Sequence, residues 1–148
     1  MTAPPLYLLD TNIVIHYSRG KTVGQQIEAD YSLLSTPYRP LICVVTKGEA
    51  LAFATKRTWG PAKIAAIQHI LNQFVTVDIN DAQVISAYAK IDAGSQGIGR
   101  RMGKNDLRIA AVANVTQASL MTTDNDFDHL DPTYVKLVHI DQQTGQTR

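Results

Sequence analysis

The stretch LYLLDTN, Leu6 to Asn12, sets four apolar residues directly against an acid. A short apolar run that ends abruptly in polar residues reads as a buried strand of the kind found in parallel sheets. Asp10 then stands at the strand's end, where a carboxylate beside a core costs free energy unless something pairs with it. One explanation is local. Asp and Thr favour the position before a helix, and IVIHY (Ile13–Tyr17) continues with helical character. The other is that the acid belongs to a site, which is decided by whether other strands end the same way.

Further β-type runs follow at LICVV (Leu41–Val45), FVTV (Phe74–Val77), SLMT (Ser119–Thr122) and KLVHI (Lys136–Ile140). Helical patterns lie between them. Ile64, Ile67, Ile70 and Leu71 share one face, and Val84, Ile85, Tyr88 and Ile91 share another. Pro61 suits a first helical turn. LRIAAVANV, Leu107 to Val115, is apolar almost all round and predicts a central, well-covered helix. Strands alternating with helices predict an α/β fold, with a mostly parallel sheet of about five strands and helices on both faces. Ligands in such sheets gather beyond the carboxyl ends of the strands.

Acids recur at those ends. LICVV leads into TKGEA, with Glu49, one of only two glutamates in the chain. SLMT leads into TDNDFD, with Asp124, Asp126 and Asp128. Asp106, in KNDLRIAA, opens the most apolar helix. Each acid has a plain structural explanation. Thr46 with Glu49 matches an S/T-x-x-E capping box, Asp106 complements a helix dipole, and Asp124 can begin a turn. Together they describe carboxylates converging on one sheet edge, where each raises the pKa of its neighbours. A bound cation resolves that conflict, and hard oxygen donors without Cys or His point to Mg²⁺ or Mn²⁺ rather than Zn²⁺.

LLDTNIVI, TKGEAL, KNDLRIAA and MTTDNDF occur in this order and resemble the four acidic motifs of PIN (PilT N-terminus) domain nucleases. The resemblance runs from Leu8 to Phe127 and is closer still to the toxin subunit of VapBC-type bacterial toxin–antitoxin pairs. Asp10, Thr11 and Asn12 fall on the first motif, and Thr46 and Glu49 on the second. Asn105 and Asp106, with Ile109, Ala110 and Ala111, fall on the third, the most specific. The fourth falls on Asp124, with Asp126 as the other candidate. The resemblance implies a PIN-type α/β/α sandwich over residues 1–141, followed by a polar tail, residues 142–148. It also implies a Mg²⁺- or Mn²⁺-dependent endoribonuclease leaving 5′-phosphate and 3′-hydroxyl ends, a homodimer and a VapB-type antitoxin. Asp10, Glu49, Asp106 and Asp124 would then be the catalytic and metal-holding acids. Asn12, Thr46, Asn105 and Asp126 would support them.

GIGRRMGKND, Gly97 to Asp106, brings Arg100, Arg101 and Lys104 up to the third motif. They read either as a solvated loop or as a clamp on RNA phosphates. His16, His69, His129 and His139 lie outside the motifs and read as surface or satisfied polar groups. Tyr17, Tyr31, Tyr38 and Trp59 suit base stacking, core and dimer contact equally. IVIHY and ALAFA (Leu51 within Ala50–Ala54) offer apolar side chains that an antitoxin helix could cover, with a cationic side chain reaching the acids.

Other classes fit less well. A haloacid-dehalogenase-type phosphatase needs a second Asp where Asn12 stands. A response-regulator receiver needs a late-strand lysine facing the acids, and Lys136 is at the wrong end of its run. A PIN module that binds without cleaving is the remaining alternative.

The chain has 148 residues, 45% apolar and 18% charged, which suits one soluble domain with a real core. A net charge of +1 gives no global field toward polyanions, so local charge must carry any such argument. Cys43, the only cysteine, reads as a small core residue and fits a reducing, cytoplasmic setting. MTAPPLYLLD has no basic start and Asp10 interrupts it, so no secretory leader is expected. No internal repeat is found, and QQTGQTR, Gln142 to Arg148, reads as a loose tail.

Overall fold

A computed structural model describes residues 4–148. Five strands form one sheet: β1 (Tyr7–Leu9), β2 (Leu41–Cys43), β3 (Val75–Val77), β4 (Ser119–Thr122) and β5 (Lys136–His139). Their order is β3-β2-β1-β4-β5, and every pair is parallel. Six α-helices connect them among the described residues: α1 (Thr11–Arg19), α2 (Thr22–Tyr31), α3 (Val44–Lys56), α4 (Pro61–Leu71), α5 (Ala82–Gly97) and α6 (Lys104–Thr116). A 3₁₀ turn, Asp128–Leu130, precedes β5.

Side chains alternate across each strand, which divides the apolar residues into two cores. Leu8, Cys43 and Leu120 point to one face and pack with Ile91 of α5 and Leu107 and Ile109 of α6. Leu9, Ile42 and Met121 point to the other and pack with Ile13 of α1, Ile27 of α2, Ala50 of α3 and Ile67 of α4. The result is the three-layer α/β/α sandwich that the alternation of patterns predicts. Helix α6 is covered as expected: Ile109, Ala110, Ala111 and Val112 are all at 0% exposure.

The strand order locates the site. From β1 the chain builds outward through β2 to β3, then returns to lay β4 on the other side of β1. The crevice beyond the carboxyl ends of β1 and β4 is therefore the topological switch point, the favoured ligand position in open parallel sheets. Asp10 follows β1 directly, and Asp124 lies two residues past β4.

Three expectations shift. LICVV does not stay extended to Val45: Cys43 is the last extended residue and α3 begins at Val44. β-branched side chains are disfavoured in helices by crowding against the preceding turn, and Val44 and Val45 have none before them. Thr46 consequently sits inside the first turn of α3, not at its cap, so Thr46 and Glu49 do not form a capping box.

Helix α2, TVGQQIEADY, is unforeseen because only Val23 and Ile27 mark its buried face. The tail is also tied down rather than loose. Thr147 pairs with Ile140 in an antiparallel bridge, its hydroxyl bonds the Tyr31 hydroxyl, and Arg148 donates to Asn125 Oδ1 at 2.8 Å. No helix among the described residues is long and apolar enough to cross a membrane.

Gly24 permits α1 and α2 to meet. A Cβ at that position would lie 2.6 Å from the carbonyl oxygen of His16. Helix propensity alone favours Gly24→Ala by about 1 kcal/mol. The backbone collision opposes it, at about 1–3 kcal/mol for overpacking of this kind. Gly24→Ala is therefore expected to lower the melting temperature by a few degrees, at about 2–4 °C per kcal/mol for a chain of this size. A thermal melt that rises would mean the two helices separate at no cost.

Candidate functional site

Asp10 has two jobs, one for each carboxylate oxygen. As the N-cap of α1 it accepts from Thr11 N through Oδ1 at 2.8 Å. Its Oδ2 accepts from the Thr122 hydroxyl at 2.7 Å and from Asn12 Nδ2 at 3.2 Å. Asn12 turns its own Oδ1 to the backbone N–H of Thr123 at 3.2 Å, which ties the start of α1 to the loop after β4. Thr122 Oγ1 also accepts from Asp124 N at 2.9 Å. One hydroxyl therefore joins Asp10 to the segment that carries Asp124. Asp10 therefore caps a helix, as expected, and at the same time stands within the field of Asp124 and Glu49.

Glu49 is held from two helices. Its Oε1 accepts from the Thr11 hydroxyl at 2.7 Å, and its Oε2 from Asn105 Nδ2 at 3.2 Å. Arg108 donates to Asn105 Oδ1 at 2.8 Å, which fixes which end of the amide faces Glu49. The Thr46 hydroxyl lies 3.2 Å from that of Thr11. Thr11 has one proton and gives it to Glu49, so Thr46, at 0% exposure, supports Glu49 through Thr11 rather than directly. Thr122 and Arg108 join this network without having been singled out from the sequence, while Thr11, placed on the first motif, gains a specific partner in Glu49. Thr122 was hidden because its role depends on the parallel register that sets Met121 beside Leu9.

Asp106, in the first turn of α6, completes the edge with Asp124 and Asp126. One carboxylate oxygen from each of these three lies within 4.8 Å of the others. Asp126 N also donates to Asp124 Oδ1 at 3.1 Å, so Asp124 does begin a turn while joining the cluster. Burial pushes the Asp106 carboxyl up to about 7, and Asp10, Asp124, Asp126 and Glu49 add to the rise in that order. Burial pushes Asp10 up to about 6, against the opposing hydrogen bonds from Thr122 and Thr11, with Asp124 and Glu49 raising it further. Asp126 is raised by burial and then by Asp124. Asp10, Glu49, Asp106, Asp124 and Asp126 thus share one field, while Asp128 is exposed on the 3₁₀ turn.

The donor set fits a hard divalent cation. All the ligand atoms are carboxylate oxygens, the groups that hold them are hydroxyls, amides and backbone N–H, and added positive charge would relieve their mutual repulsion.

The predicted basic cluster is divided. Lys104 lines an open cavity of about 510 Å³ with Glu49, Asn105, Asp106 and Arg108. Arg100 and Arg101 line a smaller one, of about 120 Å³, with Met102, Gly103, Asp126 and His129. A third cavity, about 670 Å³, runs from Thr11 and Glu49 along Ile15, Val45, Ala52 and Phe53. Of the apolar stretches expected to be available to a partner, only Ile15, Ala52 and Phe53 face this groove. Ile13, Val14, Ala50 and Ala54 are core residues at 0% exposure.

The raised carboxyls bear on stability. Their folded pKa values, about 6 and 7, lie above the ordinary value of 3.8, so between pH 4 and 7 the folded chain holds more protons than the unfolded one. Stability of the metal-free protein is then expected to fall as pH rises through that window and to stay low above it. Asp106→Asn removes one of the repelling charges. In chelator, it should raise the melting temperature at pH 8 by a few degrees and change it little at pH 4. Equal melting curves for the two proteins at pH 8 would refute the repulsion.

Comparison with known proteins agrees with this geometry. A family model described as "PIN domain" matches residues 7–132. No curated protein matches the chain. Among solved structures, VapBC-1 from nontypeable Haemophilus influenzae is similar at 25% identity and a TM-score of 0.75, over 90% of this chain and 97% of that one. VapBC-5 from Mycobacterium tuberculosis, of the VapBC family of toxin–antitoxin systems, is similar at 26% identity and 0.68, over 93% and 100%. VapBC2 from Rickettsia felis, bound to a DNA fragment from its promoter, shares the fold at 20% identity and 0.77, over 90% and 98%. With most of its length matched by the family model and its acids gathered at the switch point of the matching fold, the chain belongs to the PIN domain family.

Proposed function

We propose that the protein is a Mg²⁺- or Mn²⁺-dependent endoribonuclease and the toxin of a toxin–antitoxin pair. The observation that carries this is the convergence of five carboxylates at one sheet edge, three of them within 4.8 Å of one another. Asp10, Glu49, Asp106 and Asp124 would hold the cation, with Asp126 beside them. When bound, the ion supplies positive charge to the phosphate oxygens and an acidified water as nucleophile.

The chain's own residues hold the ligands in place. Thr122 and Asn12 orient Asp10, while Thr11 and Asn105 orient Glu49. Thr46 acts through Thr11, and Arg108 through Asn105. Arg100, Arg101 and Lys104 flank the acids on two sides and would hold the RNA backbone. The unit is assigned to residues 1–141, braced by the tail 142–148, and the setting is cytoplasmic.

RNA cleavage is expected in Mg²⁺ or Mn²⁺ and is expected to stop in excess EDTA. Asp10→Asn and Asp106→Asn should each abolish it while the circular dichroism spectrum stays that of the wild type. Undiminished cleavage in EDTA would overturn metal dependence. Near wild-type activity in either folded variant would overturn the ligand assignment. A folded wild type that binds RNA but never cleaves it would favour the non-catalytic module.

The partner is proposed to be a VapB-type antitoxin acting on a homodimer of this chain. The 670 Å³ groove is apolar along Ile15, Val45, Ala52 and Phe53 and ends at Glu49. That sequence of surfaces suits an amphipathic helix with an arginine or lysine at its tip, paired to the carboxylates in place of the metal. Co-expression with the adjacent gene's product should give a complex. Removing that product's C-terminal cations one at a time should weaken inhibition in at least one variant. A complex in which every such variant still inhibits fully would rule out the cationic tip.

A further inference from the structure

Behind the acidic edge, the loop between α5 and α6 folds over the 3₁₀ turn, and Ser95 organises both. Ser95 is 1% exposed, near the end of α5. Its carbonyl accepts from Ile98 N at 3.2 Å and from Arg100 N at 2.8 Å, with Gly99 supplying a positive φ of 77° between them. Its hydroxyl lies 2.9 Å from His129 Nε2 and 3.5 Å from Met102 Sδ. Imidazole nitrogen is the stronger acceptor, so the hydroxyl proton goes to Nε2, and the neutral ring keeps its own proton on Nδ1 as a free donor. Met102, 8% exposed, anchors the loop in the core, and Arg100 and Arg101 remain at the surface immediately before it.

These parts enclose the cavity of about 120 Å³ lined by Arg100, Arg101, Met102, Gly103, Asp126 and His129. It has room for several waters or for one phosphate group. Arg100 and His129 bring positive charge and an N–H donor to the same space. After burial, the Arg100 guanidinium is what holds the His129 ring toward its neutral form. The one opposing group on the wall is Asp126, which also belongs to the three-acid cluster. The cavity therefore adjoins the proposed metal site through a shared residue.

We propose that this cavity is a subsite for a non-scissile phosphate of the RNA chain, held by Arg100, Arg101 and the His129 Nδ1–H, next to the phosphate being cleaved. The proposal rests on the nuclease reading above. It goes beyond a general basic surface by naming a bounded site, a histidine outside the motifs and a buried serine that orients it. A site that receives backbone rather than base positions the strand without reading its sequence.

The test uses short RNA oligonucleotides containing a mapped cleavage site, each with one phosphate replaced by a neutral methylphosphonate. In the wild type, neutralising one phosphate flanking the cut should raise KM about tenfold, the scale of one charge-assisted contact. In Arg100→Ala, and separately in Arg101→Ala, the same replacement should change KM less than twofold. The slope of log affinity against log salt should fall by about 1 in each variant. His129→Gln should reduce the penalty in part, with its melting curve confirming the fold. Lys136→Ala, at the amino end of β5, should behave as the wild type.

A penalty that persists unchanged in both arginine variants would overturn the subsite, as would equal penalties at every phosphate. Fluorescence anisotropy with Ca²⁺ in place of Mg²⁺ reads the same coupling without turnover. Coupling in binding, with no cleavage in Mg²⁺ or Mn²⁺, would overturn the nuclease reading and support the subsite. Metal-dependent cleavage without coupling would do the reverse, and no RNA binding at all would overturn the subsite outright.

Discussion

The hydroxyl of Thr122 donates to Asp10 across the join between β1 and β4, and the acidic edge is assembled around that bond. It exists because the two strands pair in parallel with Leu9 beside Met121, so their next residues meet where the strands end. The same oxygen accepts from Asp124 N, which places the fourth motif relative to the first. Asn12 spans the same junction from the other side through Thr123. Secondary structure alone would leave these loops to find their own positions. Two short polar links make them follow the sheet.

Three of the five acids also have a structural task. Asp10 caps α1, Asp124 closes a turn, and Asp106 sits in the first turn of α6, where an acid is favoured by the helix dipole. These local gains offset part of the cost of holding five carboxylates in one field. The remainder stays unrelieved in the metal-free chain and appears as the raised carboxyls of Asp10 and Asp106. Proteins commonly concentrate such destabilised arrangements where binding is needed.

Sequence patterns revealed the sandwich well because the two cores follow simple rules. Leu8 and Leu9 lie on opposite faces through period-2 alternation, and α6 is apolar all round because it is covered all round. The acids were visible as residue types at strand ends. What connects them was not. Thr122 and Ser95 act through partners 112 and 34 residues away, and Arg108, one helical turn from Asn105, reaches Glu49 only through that amide, 56 residues from it, so the fold alone brings these groups together. Thr46 and Glu49 carried the spacing of a capping box, yet α3 starts two residues ahead of Thr46 and leaves its hydroxyl for Thr11. Helix α2 escaped notice because two buried apolar residues and a glycine make a faint periodic signal.

Cys43 ends β2 and precedes α3, the helix that carries Glu49. Its side chain is at 0% exposure, and burial pushes its thiol pKa up. Thiol reagents attack the thiolate, so in the folded chain this sulfur is protected by both access and ionisation. It becomes reactive when the layer of α5 and α6 lifts from β2, the same motion that would draw Asn105 away from Glu49. With no other cysteine in the sequence to compete, the molecule contains its own chemical clock for the opening of one wall of the acidic edge.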